Sequence, residues 1–227
     1  MKLTFYGHAA FLLETAGHRL LMDPFLSGNE KASVKPEEVD CEYILLTHGH
    51  EDHVGDTEQI ARANDATIIA NFELADYFGD MGLKTHPMYI GGRHAFPFGS
   101  VKFTIAHHGS SLATSKGRIA MGNPAGLLIQ AEGKTIYNAG DTGLFLDMKL
   151  IGEKHRLDLA LLPIGDNFTM GVDDAIEAVR FLGPRQVVPM HYDTWPLIEV
   201  DTGGFADGCS RAGADAHILA PGESLEL

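Results

Sequence analysis

"THGHEDHVGD", residues 47–56, places His48, His50, Asp52 and His53 within six residues, directly after the apolar run "EYILL" at 42–46. The run reads as a buried strand. The loop after it therefore leaves a sheet edge, where side chains from several strand ends can converge on one point. Imidazole and carboxylate are the donors favoured by zinc and its first-row neighbours. A solvated polar loop has no need of four such groups at this spacing. One loop seldom completes a metal site, so further donors are expected at other strand ends, and three later segments offer them. "FTIAHHGSS" ends an apolar run with His107 and His108, "TIYNAGDTG" with Asp141, and "QVVPMHYD" with His191.

Outward from that loop, the pattern predicts an α/β chain. "KLTFYGHAAFLLETAGHRLLMDP" reads as short strands with "TAGH" as a hairpin, and "EYILLT" and "ATIIAN" as buried strands. "DTEQIARAN", with Asp56 or Thr57 as its cap, and "FELADYFGDMG" read as helices. From His94 to Ala139 the pattern is β-pairs, with "EGK" as a hairpin turn. Alternation then returns: "LFLDMKLIGEKHR" as helix, "LDLALLPIG" as strand, "VDDAIEAVRFLG" as helix ending at Gly183, then "QVVPM" and "AHILAP" as the closing strands. Strand–helix units on both sides of a β-rich middle predict two sheets face to face with helices outside, a four-layer αββα sandwich. Residues 1–227 are read as a single domain, a size that suits one large core.

The order "THGHEDHVGD", "HHGSS", "NAGDTG", "PMHYD" resembles the metallo-β-lactamase superfamily of binuclear metallohydrolases, over nearly the whole chain. "FYGHAAFLL", "LMDPFLSGN", "GDTGLFLDMKLIG", "LLPIGDNFTMGVDDA" and "MHYDTWPLIE" look more closely like its bacterial and archaeal group of metal-dependent hydrolases. The resemblance implies the metallo-β-lactamase fold and two divalent ions, zinc first, with manganese, iron or nickel accepted by the same donors. It implies that His48, His50 and His108 hold one ion, that Asp52, His53 and His191 hold the other, and that Asp141 bridges them. His108 is preferred to His107 because the family's ligand stands immediately before the small Gly/Ser run, and strand alternation turns His107 to the opposite face. A metal-bridging hydroxide is then the expected nucleophile, with Asp52 orienting it and helping to move its proton.

Around this set, His8 in "GHAAF" resembles the family's N-terminal Gly-His signature and is placed beside the substrate or behind a ligand; satisfaction by backbone is its structural alternative. Asp23 in "MDP" is either a turn residue or an acceptor that orients a ligand imidazole. Asn123, Asn167 and Tyr192, in the loops "MGNPAG", "IGDNFTMG" and "HYDTWPL", are candidates for hydrogen bonds to substrate. Trp195 and Phe168 are read as core residues. Asp56, Glu58, Asp173 and Asp174 are read as helix starts.

A formal net charge of −14 opposes binding to nucleic acid or an anionic membrane surface. Cys41 and Cys209 lack CxxC spacing and are expected to be buried, no apolar run reaches the length of a membrane span, and no leader pattern precedes the first strand. The cytoplasm is the expected compartment, and a homo-oligomer is compatible with the family. The rim loops carry no Lys or Arg besides Lys116 and Arg118 of "SLATSKGRIAMG". That favours a small ester, lactone or amide as substrate over the alternative, a small phosphorylated substrate of a phosphodiesterase. A non-catalytic metal-binding protein or an iron redox protein is the alternative outside hydrolases.

Overall fold

The computed structural model describes residues 1–115 and 117–227; Lys116 lies outside the described residues. The N-terminal half begins with β1 (Lys2–Gly7), β2 (Ala10–Thr15) and β3 (His18–Met22), an antiparallel meander. Its second turn has φ of 49° at Ala16 and 77° at Gly17, a left-handed pair that matches the twist of the flanking strands. β4 (Tyr43–Leu45), the single-turn α1 (Glu51–Val54), α2 (Thr57–Asn64), β5 (Thr67–Asn71), α3 (Phe72–Asp80) and β6 (Thr85–Met88) follow, with β3 to β6 parallel.

The C-terminal half builds a second sheet. β7 (Arg93–Phe96) and β8 (Gly99–Ile105) form a hairpin, and β9 (Ser111–Thr114) with β10 (Gly117–Ala120) a separate two-stranded one. β11 (Ala125–Ala131) and β12 (Lys134–Asn138) pair around the Glu132–Gly133 turn. Then come α4 (Asp147–Lys154), β13 (Leu159–Pro163), α5 (Val172–Leu182), β14 (Gln186–Met190), α6 (Thr202–Ala212), β15 (Asp215–Ala216) and β16 (Ser224–Glu226). The sheet orders are β16-β1-β2-β3-β4-β5-β6 and β15-β14-β13-β12-β11-β8-β7.

Side-chain alternation assembles the layers. Leu3, Phe5, Phe11, Leu13, Leu20 and Met22 of the first sheet meet Val101, Phe103, Leu127, Ile129, Leu161 and Val188 of the second in one buried core. The outward residues of the first sheet, such as Leu21, Ile44 and Ile68, pack under Ile60, Leu74 and Phe78 of α2 and α3. Those of the second, such as Leu128, Ala160 and Leu162, pack under Met148, Val179 and Phe205 of α4, α5 and α6. The order of layers is helix, sheet, sheet, helix, the αββα sandwich that the alternation predicts. Cys41 and Cys209 are free and buried, and burial pushes their thiols up to about 12 and about 11. Among the described residues, no helix is long and apolar enough to cross a membrane.

Several elements differ from the sequence reading, which contains neither β6 nor the single-turn α1. "AHILAP" does not close the molecule as a strand: only Asp215–Ala216 pairs with β14, after which the chain crosses to the other sheet and ends as β16 beside β1. Gly222 donates to Phe5 O at 2.7 Å to make that crossing. α6 was not read at all, because Gly203, Gly204 and Gly208 dilute its helical pattern. It forms because Asp201 caps it, accepting from Gly204 N at 3.0 Å, and because Phe205 and Cys209 are fully buried. Gly208 allows close packing, since a Cβ there would overlap the Ile176 side chain.

Gly55 closes the α1 turn at φ +40°, and a Cβ there would overlap the Pro24 carbonyl and lie 2.6 Å from Phe25 Cα. Gly55→Ala must therefore shift backbone on both sides of the histidine turn. A loss of about 2–4 kcal/mol is expected in a urea unfolding titration, and an unchanged midpoint would show that the turn adapts freely.

Candidate metal centre

Strand direction brings the donors together. β2 is antiparallel to β1 and β3, and β4 is parallel to β3, so β1, β3 and β4 end at one edge. By the same reasoning β8, β12, β13 and β14 end together. The two edges meet: His191 N donates to His8 O at 2.8 Å and Ala125 N to Thr47 O at 2.9 Å. His8, Asp23, the 47–53 turn, His107–His108, Asp141 and His191 all follow these strand ends. The histidine turn is partly helical, with His50 at the N-cap of α1 and Asp52 and His53 inside it.

Three groups of donors lie within 4.8 Å of one another: His48, His50 and His108; His8, Asp52, His53 and His191; and His48, His53 and Asp141. Asp141 joins the first two. Its Oδ1 is 3.2 Å from His53 Nε2, and its Oδ2 lies 3.1 Å from His191 Nε2, 3.5 Å from His108 Nε2 and 4.0 Å from His48 Nε2. Asp52 Oδ2 meets His8 Nε2 at 3.2 Å and His191 Nε2 at 3.5 Å. His107 is turned away from the group, its ring 5.0 Å from Phe145.

Behind the donors, Asp23 is fully buried and accepts from Thr47 N at 2.9 Å, Thr47 Oγ1 at 2.7 Å and His53 Nδ1 at 2.9 Å. With its hydroxyl proton given to Asp23, Thr47 can accept only from His48 Nδ1, 3.0 Å away. One carboxylate thus orients two imidazoles so that the Nε2 of each faces the centre. The residues fit a divalent cation. His53 Nε2 and Asp141 Oδ1 are buried without a hydrogen-bond partner, and His48 Nε2 and His50 Nδ1 stand 3.0 Å apart as two ligands of one ion would.

The charges are strongly coupled. Burial pushes His48 well below the ordinary imidazole range, and burial also lowers His50 and His108. Burial opposes charge on His53 and His191, yet Asp141 with Asp23 holds His53 well above its usual value, and Asp141 with Asp52 raises His191 to about 9. Burial works against Asp52 and Asp141 as anions, but the facing imidazoles keep both far below the carboxylate range. Burial lowers His8 to about 4 despite its bond to Asp52, so it is neutral.

A cavity of about 510 Å³ opens onto His50, Asp52, His108, Asp141 and His191. Phe168, Trp195 and Leu197 complete its lining. This corrects the reading of Phe168 and Trp195 as core: they are 50% and 37% exposed. Their position next to ligand-bearing loops was the available signal, whereas Thr47 and Thr194 carried none. The expected polar contacts lie elsewhere. Asn123 is exposed, with its carbonyl bonded to Asn71, and Asn167 is an exposed turn residue. Tyr192 lines a separate cavity of about 300 Å³ that also touches His8, and burial pushes its phenol up to about 12. Arg118 is paired with Glu51 at 3.0 Å. Asp56 sits at the N-cap of α2, but its carboxylate accepts from Leu26 N and Ser27 N instead.

A family model described as "Beta-lactamase superfamily domain" matches residues 2–191. A UPF0173 metal-dependent hydrolase of Bacillus velezensis is 54% identical over 229 residues, and YtkL of Bacillus subtilis, also a UPF0173 metal-dependent hydrolase, is 53% identical; each pair covers 100% of both chains. Igni18, a metallo hydrolase from the archaeon Ignicoccus hospitalis, superposes with a TM-score of 0.91 at 34% identity, over 100% of this chain and 98% of that one.

Asp23 is fully buried behind the donors, so its replacement tests the supporting network. Asp23→Ala leaves Thr47 N and His53 Nδ1 without a buried acceptor, and is expected to lower stability by about 3 kcal/mol and metal affinity by roughly ten- to a hundredfold. Thermal unfolding and competitive chelator titration read the two effects, and wild-type affinity in the variant would show that Asp23 does not orient the imidazoles.

Proposed function

The chain belongs to the metallo-β-lactamase superfamily and is a metal-dependent hydrolase; from that membership we propose that its centre takes two divalent ions and that its substrate is a small ester, lactone or amide. The observation that carries this reading is the clustering of the donors: His48, His50 and His108 form one group, Asp52, His53 and His191 with His8 another, and Asp141 lies between them. The imidazole-rich set suits zinc, and manganese, iron or nickel would use the same atoms. Ions held there would supply Lewis acidity toward a carbonyl oxygen and acidify a water to near neutral pH.

The chain's own residues do the rest. Asp52 lines the cavity and stays ionised, so its carboxylate can accept a hydrogen bond from a water and orient it. His8 holds that carboxylate in place: Nε2–H donates to Asp52 at 3.2 Å while Nδ1 meets the Thr194 hydroxyl at 2.8 Å. Among the described residues of the cavity lining a phosphodiester would find no Lys or Arg for its non-bridging oxygens, which favours the carbonyl substrate.

Elemental analysis of purified wild type is expected to give about two divalent ions per chain. Asp141→Ala should retain one or none and lose hydrolysis of a lactone and ester panel by about three orders of magnitude. Full metal content in that variant, or a fully loaded wild type inert toward every ester, lactone and amide, would overturn the reading.

Protons should be exchanged for metal. His53 and His191 are protonated in the ion-free centre at neutral pH, and a ligand imidazole must be neutral, so affinity should rise with pH up to about 9. The charge on His191 stabilises the ion-free fold fully below its ordinary 6.5, and that stability is lost as pH rises through about 9. Calorimetry in buffers of different ionisation enthalpy reads the protons released, and an enthalpy independent of buffer would contradict the exchange.

A further inference from the structure

The part of the cavity lining that carries no donor is hydrocarbon and is left in water. Phe168, Trp195 and Leu197 are 50%, 37% and 62% exposed, and all three border the same cavity. Single exposed apolar side chains need no explanation, but three gathered at the mouth of a cavity mark a surface meant to be covered.

The wall is also preformed. Trp195 packs edge-on against His8, ring centroids 4.9 Å apart, and lies 6.2 Å from Phe25. Its loop is tied at each step: Asp193 N donates to Ile198 O at 2.8 Å, Ile198 N to Trp195 O at 3.0 Å, and Val200 N to the Asp193 carboxylate at 3.0 Å, while the Lys31 ammonium donates to Asp193 O. Phe168 follows Asp166 and Asn167, whose φ values of 58° and 45° turn the chain sharply, and Thr169 N closes the turn on Asp166 O at 3.1 Å. The Trp195 ring is held by its contacts with His8 and Phe25 before a ligand arrives, which removes an entropic cost of binding.

We infer that the substrate is an uncharged carbonyl compound bearing an apolar group, an alkyl chain or ring, held by Phe168, Trp195 and Leu197 while its carbonyl faces the donors. This rests on the hydrolase reading. The reaction consumes one water: its oxygen bonds to the carbonyl carbon, the bond to the leaving oxygen or nitrogen breaks, and that atom takes up the proton. The three wall residues set specificity and leave the reacting atoms to the donors.

Trp195 is the single tryptophan of the chain, so its emission reports on the wall directly. Metal-loaded protein is titrated with 2-alkanones from butanone to nonanone, which carry the carbonyl and cannot be hydrolysed. Saturable spectral shifts are expected, with Kd tightening about two- to fourfold per methylene until the cavity is filled. Chains interrupted by ether oxygens should lose that gain. Phe168→Ala and Leu197→Ser, at exposed positions where folding is preserved, should flatten the dependence; equal thermal midpoints check the fold. Alkyl-substituted γ-lactones of rising length should show the same trend in KM. Turnover without any dependence on chain length overturns this inference and leaves the hydrolase reading intact. Length-dependent ketone binding with no turnover of lactone, ester or amide supports the apolar wall and removes the hydrolase reading. Trp195 emission that follows protein concentration alone, in step with dimerisation by sedimentation, would assign the wall to a second copy and overturn the inference.

Discussion

The buried carboxylate of Asp23 is the point on which the histidine turn hangs. Its three hydrogen bonds, to Thr47 N, Thr47 Oγ1 and His53 Nδ1, join the end of β3 to the end of β4 and to α1. A fully buried carboxylate is tolerated only when its lone pairs are met, and these donors meet them. The same network turns the Nε2 of His48 and of His53 inward. Stability and ligand geometry therefore draw on one group, and the core does not tolerate its loss for the same reason that the centre does not.

Backbone strain is distributed around this end of the molecule in a telling way. Among the described residues, nine non-glycine positions have positive φ. Ala16, Asp65 and Glu132 occupy turns or a helix end, where that conformation is common. The other six are His8, Asp23, Asp166, Asn167, His191 and Asp193, all at the donor edge or in the loops carrying Phe168 and Trp195. Each costs about 1–3 kcal/mol unless its surroundings fix it. The surroundings do: His191 N is bonded to His8 O, and Asp193 is bonded through both its amide and its carboxylate. At His191 the chain adopts a left-handed conformation at a strand end where glycine would remove the candidate ligand itself, and at His8 and Asp23 where glycine would remove the groups that hold Asp52 and His53.

The layers and the donors were legible in the sequence for one reason. Buried strands write a dense apolar run, and a His or Asp immediately after such a run has few places to go; "EYILL" before His48 and "QVVPM" before His191 are the plainest cases. α6 was hidden because its stability comes from close packing of Gly208 against Ile176, which propensity cannot express. The last strand was misplaced because "AHILAP" has the composition of a strand while the hydrogen bonds that decide between sheets come from β1, two hundred residues earlier in the chain. Trp195 and Phe168 were assigned to the core on residue type. Type records affinity for apolar surroundings and not whether the chain or a ligand supplies them.

The site is divided between the two halves of the sandwich. His8, His48, His50, Asp52 and His53 follow strands of the first sheet, and His108, Asp141 and His191 follow strands of the second. Asp141 contacts imidazoles of both, and His191 reaches across to Asp52. An ion that takes donors from both sheets binds the folded chain and has no comparable site in the unfolded one, so its binding free energy adds to folding. The mutual repulsion of lone pairs in the ion-free centre, offset there by protonation of His53 and His191, works in the opposite sense. The seam between the sheets is thus where folding, proton uptake and metal binding are coupled, and the hydrocarbon wall, which carries no donor, lies outside the coupling.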